Sequence, residues 1–259
     1  MLPIVDFCGL KVTRLVIGAN PFGGYSHQSP ERDKAMVEFH TPDRIIETWH
    51  HAEKAGINTM ITNNENPHVI EAVSKYISGG GKLQWIAQLG AHDGNMQASI
   101  DKAVKIGVKG FYFWGGHSDD FFARRDEKKL REWAAYARST GLPFGVAGHS
   151  PESHYWIDSL NLVDFHVVCF FNCGSVHSNR GHNFRLTDAM AATECIRRIR
   201  KPCIGYKIMA AGRIDARMAF EYAFDNIKPT DVVNVGMHRG DKEDIVEENV
   251  ALVEKFLGN

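Results

Sequence analysis

The strongest constraint in this chain is an alternation. Short runs of β-branched and aromatic residues occur at 15–17, 58–61, 83–88, 110–114, 143–147, 163–171, 203–207 and 231–235. After each, except for a longer loop behind the first, comes a stretch with helical periodicity, at 42–55, 67–77, 96–106, 125–139, 151–159, 188–198, 215–224 and 244–257. Strands separated by helices cannot pair as hairpins, so they lie parallel and each helix crosses back over the sheet. Gly56, Gly107 and Gly141 stand where helices should stop, and Thr187 is placed to cap the helix at 188. Eight units in 259 residues, with no break in composition, have the size of a (β/α)8 TIM barrel. The reading is therefore α/β, one domain over 1–259, with an N-terminal β-hairpin (2–7 and 11–13) closing the barrel bottom. A doubly wound open sheet is the alternative.

Charge narrows the partners. A formal net charge of −1 gives no basic surplus for nucleic acid or an anionic membrane. No apolar run approaches the ~20 residues of a membrane span. The start lacks a basic segment followed by a long apolar one, so no signal peptide is expected. Five scattered cysteines do not suggest a disulfide framework, and a reducing cytoplasm is the expected location. The expected partner is a small-molecule substrate, and the pattern leaves the oligomeric state open.

In such a barrel the catalytic residues sit at the C-terminal strand ends and in the loops beyond them. That rule gathers Asn20 and Phe22, then Thr62, Asn63, Asn64 and Glu65, then Gln88, His92 and Asp93. It adds Trp114, His117, Asp119 and Asp120, then His149, Asn172 and Cys173, then Lys207, His238 and Arg239.

The motifs at the two ends resemble the aldo-keto reductase superfamily. Gly18-Ala19-Asn20-Pro21-Phe22-Gly23-Gly24 is similar to that family's first strand-end turn, and the segment Gly205 to Ile214 to its seventh strand and following loop. The tail from Val232 to Asn249 is similar to its last strand and helix. The resemblance implies a barrel, and an NADP site in which Gly236, Glu248 and Asn249 help hold the nucleotide. It also implies an Asp, Tyr, Lys and His catalytic set, in which the Tyr protonates a carbonyl as hydride arrives. Here the segment after the second strand, Ile61 to His68, has neither Tyr nor Asp, and Gln88 stands where the family has Lys. Only His117 falls near the family's His.

The residues themselves suggest other chemistry. His92, His117 and His149 follow three consecutive strands, and imidazoles delivered from separate directions can hold a divalent metal with an open position, Glu65 or Asp93 adding a carboxylate. Lys207, at a strand end, can act as a base or nucleophile, anchor an anion, or pair with Glu65. Gly212, Arg213, His238 and Arg239 occupy the corner where such barrels bind phosphate. Phe22, Trp114, Phe170 and Phe171 can form a sugar-stacking wall or belong to the core. Cys173, His177 and His182 form a second possible metal set in a long loop. Asp119-Asp120 and Asp126-Glu127 read as charges favourable at a helix start rather than catalytic acids.

The expected function is an enzyme of lyase or isomerase type, acting on a carbohydrate or hydroxy-carbonyl compound by metal-assisted or histidine acid/base chemistry. Its catalytic residues would be His117, His149, Lys207 and Glu65. The alternatives are an NADP-dependent oxidoreductase with His117 replacing the Tyr, and a non-catalytic ligand-binding barrel.

Overall fold

The eight runs close on themselves. In the computed structural model, which describes residues 1–172 and 185–258, the strands are β3 (Leu15–Gly18), β4 (Thr59–Asn63), β5 (Gln84–Leu89), β6 (Gly110–Phe113), β7 (Phe144–Gly148), β8 (Phe165–Cys169), β9 (Cys203–Tyr206) and β10 (Val232–Gly236). They pair in chain order and all in parallel, and β10 returns to β3 to close the barrel. The fold is a (β/α)8 barrel. Closure leaves no edge strand, so the backbone ladder is satisfied all the way round.

A hairpin precedes it, β1 (Ile4–Phe7) with β2 (Leu10–Thr13), antiparallel. Phe7 and Val12 project into the barrel bottom and join Val16, Ile61, Ile86, Tyr112, Ala147, Val167, Ile204 and Val232 in an inner core. A second, larger core lies between strands and helices. Both strand faces are thus buried, and for that reason the strands read as continuous apolar runs.

Helices α2 (Pro42–Lys54), α3 (Pro67–Ser78), α4 (Met96–Ile106), α6 (Glu127–Ser139), α7 (Pro151–Ser159), α8 (Leu186–Arg198), α9 (Ala216–Asn226) and α10 (Ile245–Leu257) fall close to the expected stretches. Pro at the first helical turn, behind a capping Thr41 or Ser150, fixes where α2 and α7 begin. Thr187 is not a cap: α8 starts at Leu186, and Arg185 holds the cap position with no side-chain bond.

Two helices were not expected. α1 (Pro30–Phe39) lies in the loop after β3, and α5 (Gly115–Arg124) begins directly at the end of β6. α5 ends at Arg125, whose φ of 53° turns the chain left-handed before α6. Both helices shape the mouth. Among the described residues, no helix is long and apolar enough to cross a membrane.

Candidate active site

β7 delivers the best-organised group at the mouth. It ends at Gly148, and His149 follows. The His149 ring Nδ1 lies 2.7 Å from Asp119 Oδ2, and the His149 backbone N–H donates to Asp119 Oδ1 at 3.1 Å. The Ser153 hydroxyl donates to that second oxygen at 3.3 Å. Asp119 is therefore held at both oxygens, and it fixes the ring with Nδ1 as donor. In the neutral ring Nε2 then carries the lone pair. The side chains are 11% and 19% exposed, so they are shielded without being sealed. Burial pushes the Asp119 carboxyl up, but the hydrogen bonds and charge of His149 outweigh it and hold the group below its usual range.

Asp119 is there because α5 starts so early. Gly115 and Gly116 bring the helix against β7: a Cβ on Gly115 would lie 2.8 Å from His149 Cε1. The glycines read as loop, which hid the helix and left Asp119 looking like a surface charge.

β9 supplies Tyr206 and Lys207. The Tyr206 ring faces the barrel interior 6.3 Å from the His149 ring, and burial raises its hydroxyl well above the usual range, so it stays a protonated donor. Lys207 Nζ lies over the Tyr206 ring, 5.7 Å from its centre. The expected pairing of Lys207 with Glu65 does not form, since Glu65 pairs with His92 at 3.0 Å.

One mouth residue escaped the sequence reading. His27, in the segment between β3 and α1, is lowered to about 3 by burial and by the charge of Lys207, with His149 and Arg213 adding in the same direction. Its backbone oxygen accepts from Arg213 Nη2 at 3.0 Å, and the Gln28 amide donates to Ala211 at 2.8 Å. The segment thus crosses the mouth and docks on the loop after β9. No local pattern marks His27 as part of a site.

The three-histidine metal set does not assemble. His117 Nε2 accepts from the Ala91 N–H at 3.0 Å, and the ring packs edge-on to Trp114 and Trp133. His92 is 65% exposed and turned to Glu65, and His149 Nδ1 is committed to Asp119. Among the described residues, the one group whose ligand atoms converge is Glu47, His51 and Glu243, outside the mouth, and Arg239 already neutralises two of them. These residues do not fit a divalent metal at the mouth. The Cys173, His177 and His182 set lies outside the described residues.

The phosphate corner is also occupied by protein. Arg239, only 4% exposed, sits between Glu47 and Glu243. His238 turns away from it and meets His40, Nδ1 to Nε2, at 2.8 Å. Glu248 pairs with Lys242 at 2.8 Å, Asn249 is buried, and Gly236 packs against Pro21. Gly212 and Arg213 are exposed and belong to the loop that His27 docks on. This arrangement does not fit an NADP site built from Gly236, Arg239, Glu248 and Asn249. The aromatic wall is likewise core: Phe22, Phe170 and Phe171 are buried, and Trp114 alone of the four is half-buried at the mouth beside His92.

No protein-family model and no curated protein matches the chain. Its shape does match solved structures. A protein assigned as an aldo-keto reductase, from Pseudomonas aeruginosa, superposes with a TM-score of 0.68 at 19% identity, covering 98% of this chain and 94% of that one. The (β/α)8 fold resembles that of this Pseudomonas protein. Others share it more distantly: a truncated 3-deoxy-D-arabino-heptulosonate 7-phosphate synthase from Thermotoga maritima (TM-score 0.59, 11% identity, 98% and 90% covered) and a dihydropteroate synthase from Yersinia pestis (0.54, 9%, 98% and 98%). At these identities the likeness is one of fold, and the chemistry has to be argued from the mouth.

Proposed function

We propose that the protein is an enzyme that moves a proton on a small hydroxy-carbonyl compound, of isomerase or lyase type, with His149 as the acid/base. The two-point hold of Asp119 on His149 carries this reading. A carboxylate that fixes the tautomer and orientation of an imidazole, at the C-terminal end of a barrel strand, is the arrangement a general base requires.

In this reading His149 Nε2 removes a proton from the carbon beside a carbonyl. Asp119 stabilises the imidazolium that forms. Tyr206 offers its neutral O–H to the developing enolate oxygen. The imidazolium then returns its proton to the neighbouring carbon while the hydroxyl proton passes to the former carbonyl oxygen through the Tyr206 O–H, giving isomerisation, or it protonates a β-hydroxyl that departs as water while the carbonyl re-forms, giving elimination. His117 and Glu65 have no chemical role here, because the first is tied to the Ala91 N–H and the second faces His92.

The test is deuterium exchange. Trioses, tetroses and their phosphates are incubated with the protein in D2O, and the C–H signal beside the carbonyl is followed by NMR. The expected result is exchange by the wild type and a loss of roughly 10²–10⁴-fold in His149→Ala, the usual worth of a general base. Exchange that survives in His149→Ala, or none by the wild type across the set, sinks the reading.

An NADP-dependent oxidoreductase is the second reading, favoured by the barrel's shape likeness to the Pseudomonas protein. NADPH titration followed by fluorescence separates the two: saturable binding would revive it.

A further inference from the structure

We infer that the substrate carries an anionic group, a carboxylate or a phosphate, that docks against Lys207 and His27 beside the His149–Asp119 pair. The inference deepens the acid/base reading and takes its reaction from it, but the observations behind it are separate.

Among the described residues Lys207 Nζ makes no ion pair, and it lies over the Tyr206 ring. Three carboxylates of this end of the barrel have partners of their own. Asp119 holds His149, Glu65 holds His92, and Asp33 accepts from the Ser26 N–H and hydroxyl. The sequence from 173 to 184 contains neither Asp nor Glu. Around His27, Lys207 is joined by His149 and Arg213, with Asp33 opposing them.

The backbone holds Lys207 in this position. Its φ of 57° is left-handed, unusual for a residue with a side chain, and the following turn repeats the conformation at Ala210 and Ala211. That turn is pinned from inside by Ala210 N–H to Lys207 O at 3.0 Å, and to the segment between β3 and α1 by Gln28 donating to Ala211 O and by Arg213 donating to His27 O. The point at which the lysine stem leaves the backbone is thus fixed by chain geometry.

His27 completes the half-site. It is neutral because it is buried beside Lys207, and a neutral imidazole offers one N–H to an anion. Asp33 is the opposing influence on it, and is the weaker. A lysine ammonium at the mouth draws anions in, although the chain as a whole is slightly negative. The anion would also fix the reacting carbon relative to His149, so that recognition and orientation come from one contact.

The experiment titrates the full chain with inorganic phosphate and, separately, with glycolate, following the histidine ring signals by NMR in wild type, Lys207→Ala, Lys207→Arg and the surface control Lys105→Ala. The expected result is one saturable site in wild type and Lys105→Ala, weakened by about tenfold or more in Lys207→Ala, the worth of a charge-assisted hydrogen bond, and partly restored in Lys207→Arg. The His27 pKa should rise as the anion cancels the Lys207 charge. Saturation by phosphate alone assigns a phosphorylated substrate, and by glycolate alone a carboxylic acid. No saturable binding of either up to roughly 10 mM, or equal affinity in Lys207→Ala, overturns the inference. His149→Ala keeps the two questions apart: it should abolish deuterium exchange and leave anion binding intact.

Discussion

His40 Nε2 and His238 Nδ1 meet at 2.8 Å with both rings shielded from water. One ring must donate and the other accept, so the contact exists only while at least one is neutral. Burial lowers His40 to about 3, helped by His238, His68, Arg44 and Arg239, and lowers His238 despite the opposing charge of Asp241. A second pair, His154 Nδ1 to His166 Nδ1 at 3.0 Å, is buried between α7 and β8, and both rings are lowered.

These pairs predict an acid-sensitive fold. A histidine whose folded pKa lies below its unfolded value of ~6.5 binds more protons unfolded, so its stability is complete above that pH and is lost as the pH falls toward the folded value. Each neutral histidine adds a slope approaching about 1.4 kcal/mol per pH unit within that window. Asp119 and Asp158, both lowered, extend the loss below the ordinary carboxylate range. Urea unfolding at pH 7.5, 6, 5 and 4.5 should show a midpoint that drops across the series by more than one proton's slope. An unchanged midpoint down to pH 5 contradicts the neutral-pair assignment.

Removing one partner exposes the other. In His40→Ala, His238 keeps its buried position and loses its hydrogen bond, at a cost of about 1–3 kcal/mol. His40 also packs on Phe22 and Phe39, so the single variant mixes packing with polarity. The double-mutant cycle with His238→Ala isolates the pair, and a coupling of about 0.5–3 kcal/mol is expected for residues in direct contact. Strict additivity would mean the two rings merely lie near each other.

Gly115→Ala tests the catalytic pair without touching either member. The added methyl would press on His149 Cε1, 2.8 Å away, in a helix start backed by β7. The ring has to tilt off Asp119, and a misplacement of that kind can cost on the order of 10²-fold in rate. The global fold should change little, because alanine suits a helix better than glycine. The readout is therefore a large loss of deuterium exchange with near-native unfolding. Full exchange in Gly115→Ala would show that the His149 geometry is not what limits the rate.

The barrel was legible because parallel strands buried on both faces must be apolar throughout, and helices facing one layer must be amphipathic. Those requirements are local. The site was less legible. His149 and Lys207 could be placed at strand ends by the periodicity alone, but their partners could not. Asp119 was misread because α5 opens with Gly-Gly-His-Ser, a loop-like composition that becomes helical only against β7. α1 was missed because, of its ten residues, Met36 alone is buried, so it has no apolar stripe to read. Three histidines on consecutive strands suggest one metal, yet their ring nitrogens are turned to different partners: His92 to Glu65, His117 to the Ala91 N–H and His149 to Asp119. Contacts such as His40 with His238, 198 residues apart, have no local signature at all.

The hairpin plug separates stability from catalysis. Phe7, 1% exposed, stands at the barrel bottom with its ring edge-to-face on Phe165, centroids 5.1 Å apart. Phe7→Ala leaves a cavity under the inner core, and such truncations cost about 3–5 kcal/mol. For a chain of this size that lowers Tm by roughly 6–20 °C. The mouth lies at the other end of the strands, and closure of the barrel does not depend on the hairpin, which pairs only with itself. Deuterium exchange at 20 °C should therefore persist in the variant at near wild-type rates, with the loss confined to the unfolding temperature. If Phe7→Ala instead abolishes exchange while its Tm stays within a few degrees of wild type, the plug controls the mouth, and the two ends of the barrel are coupled through the inner core.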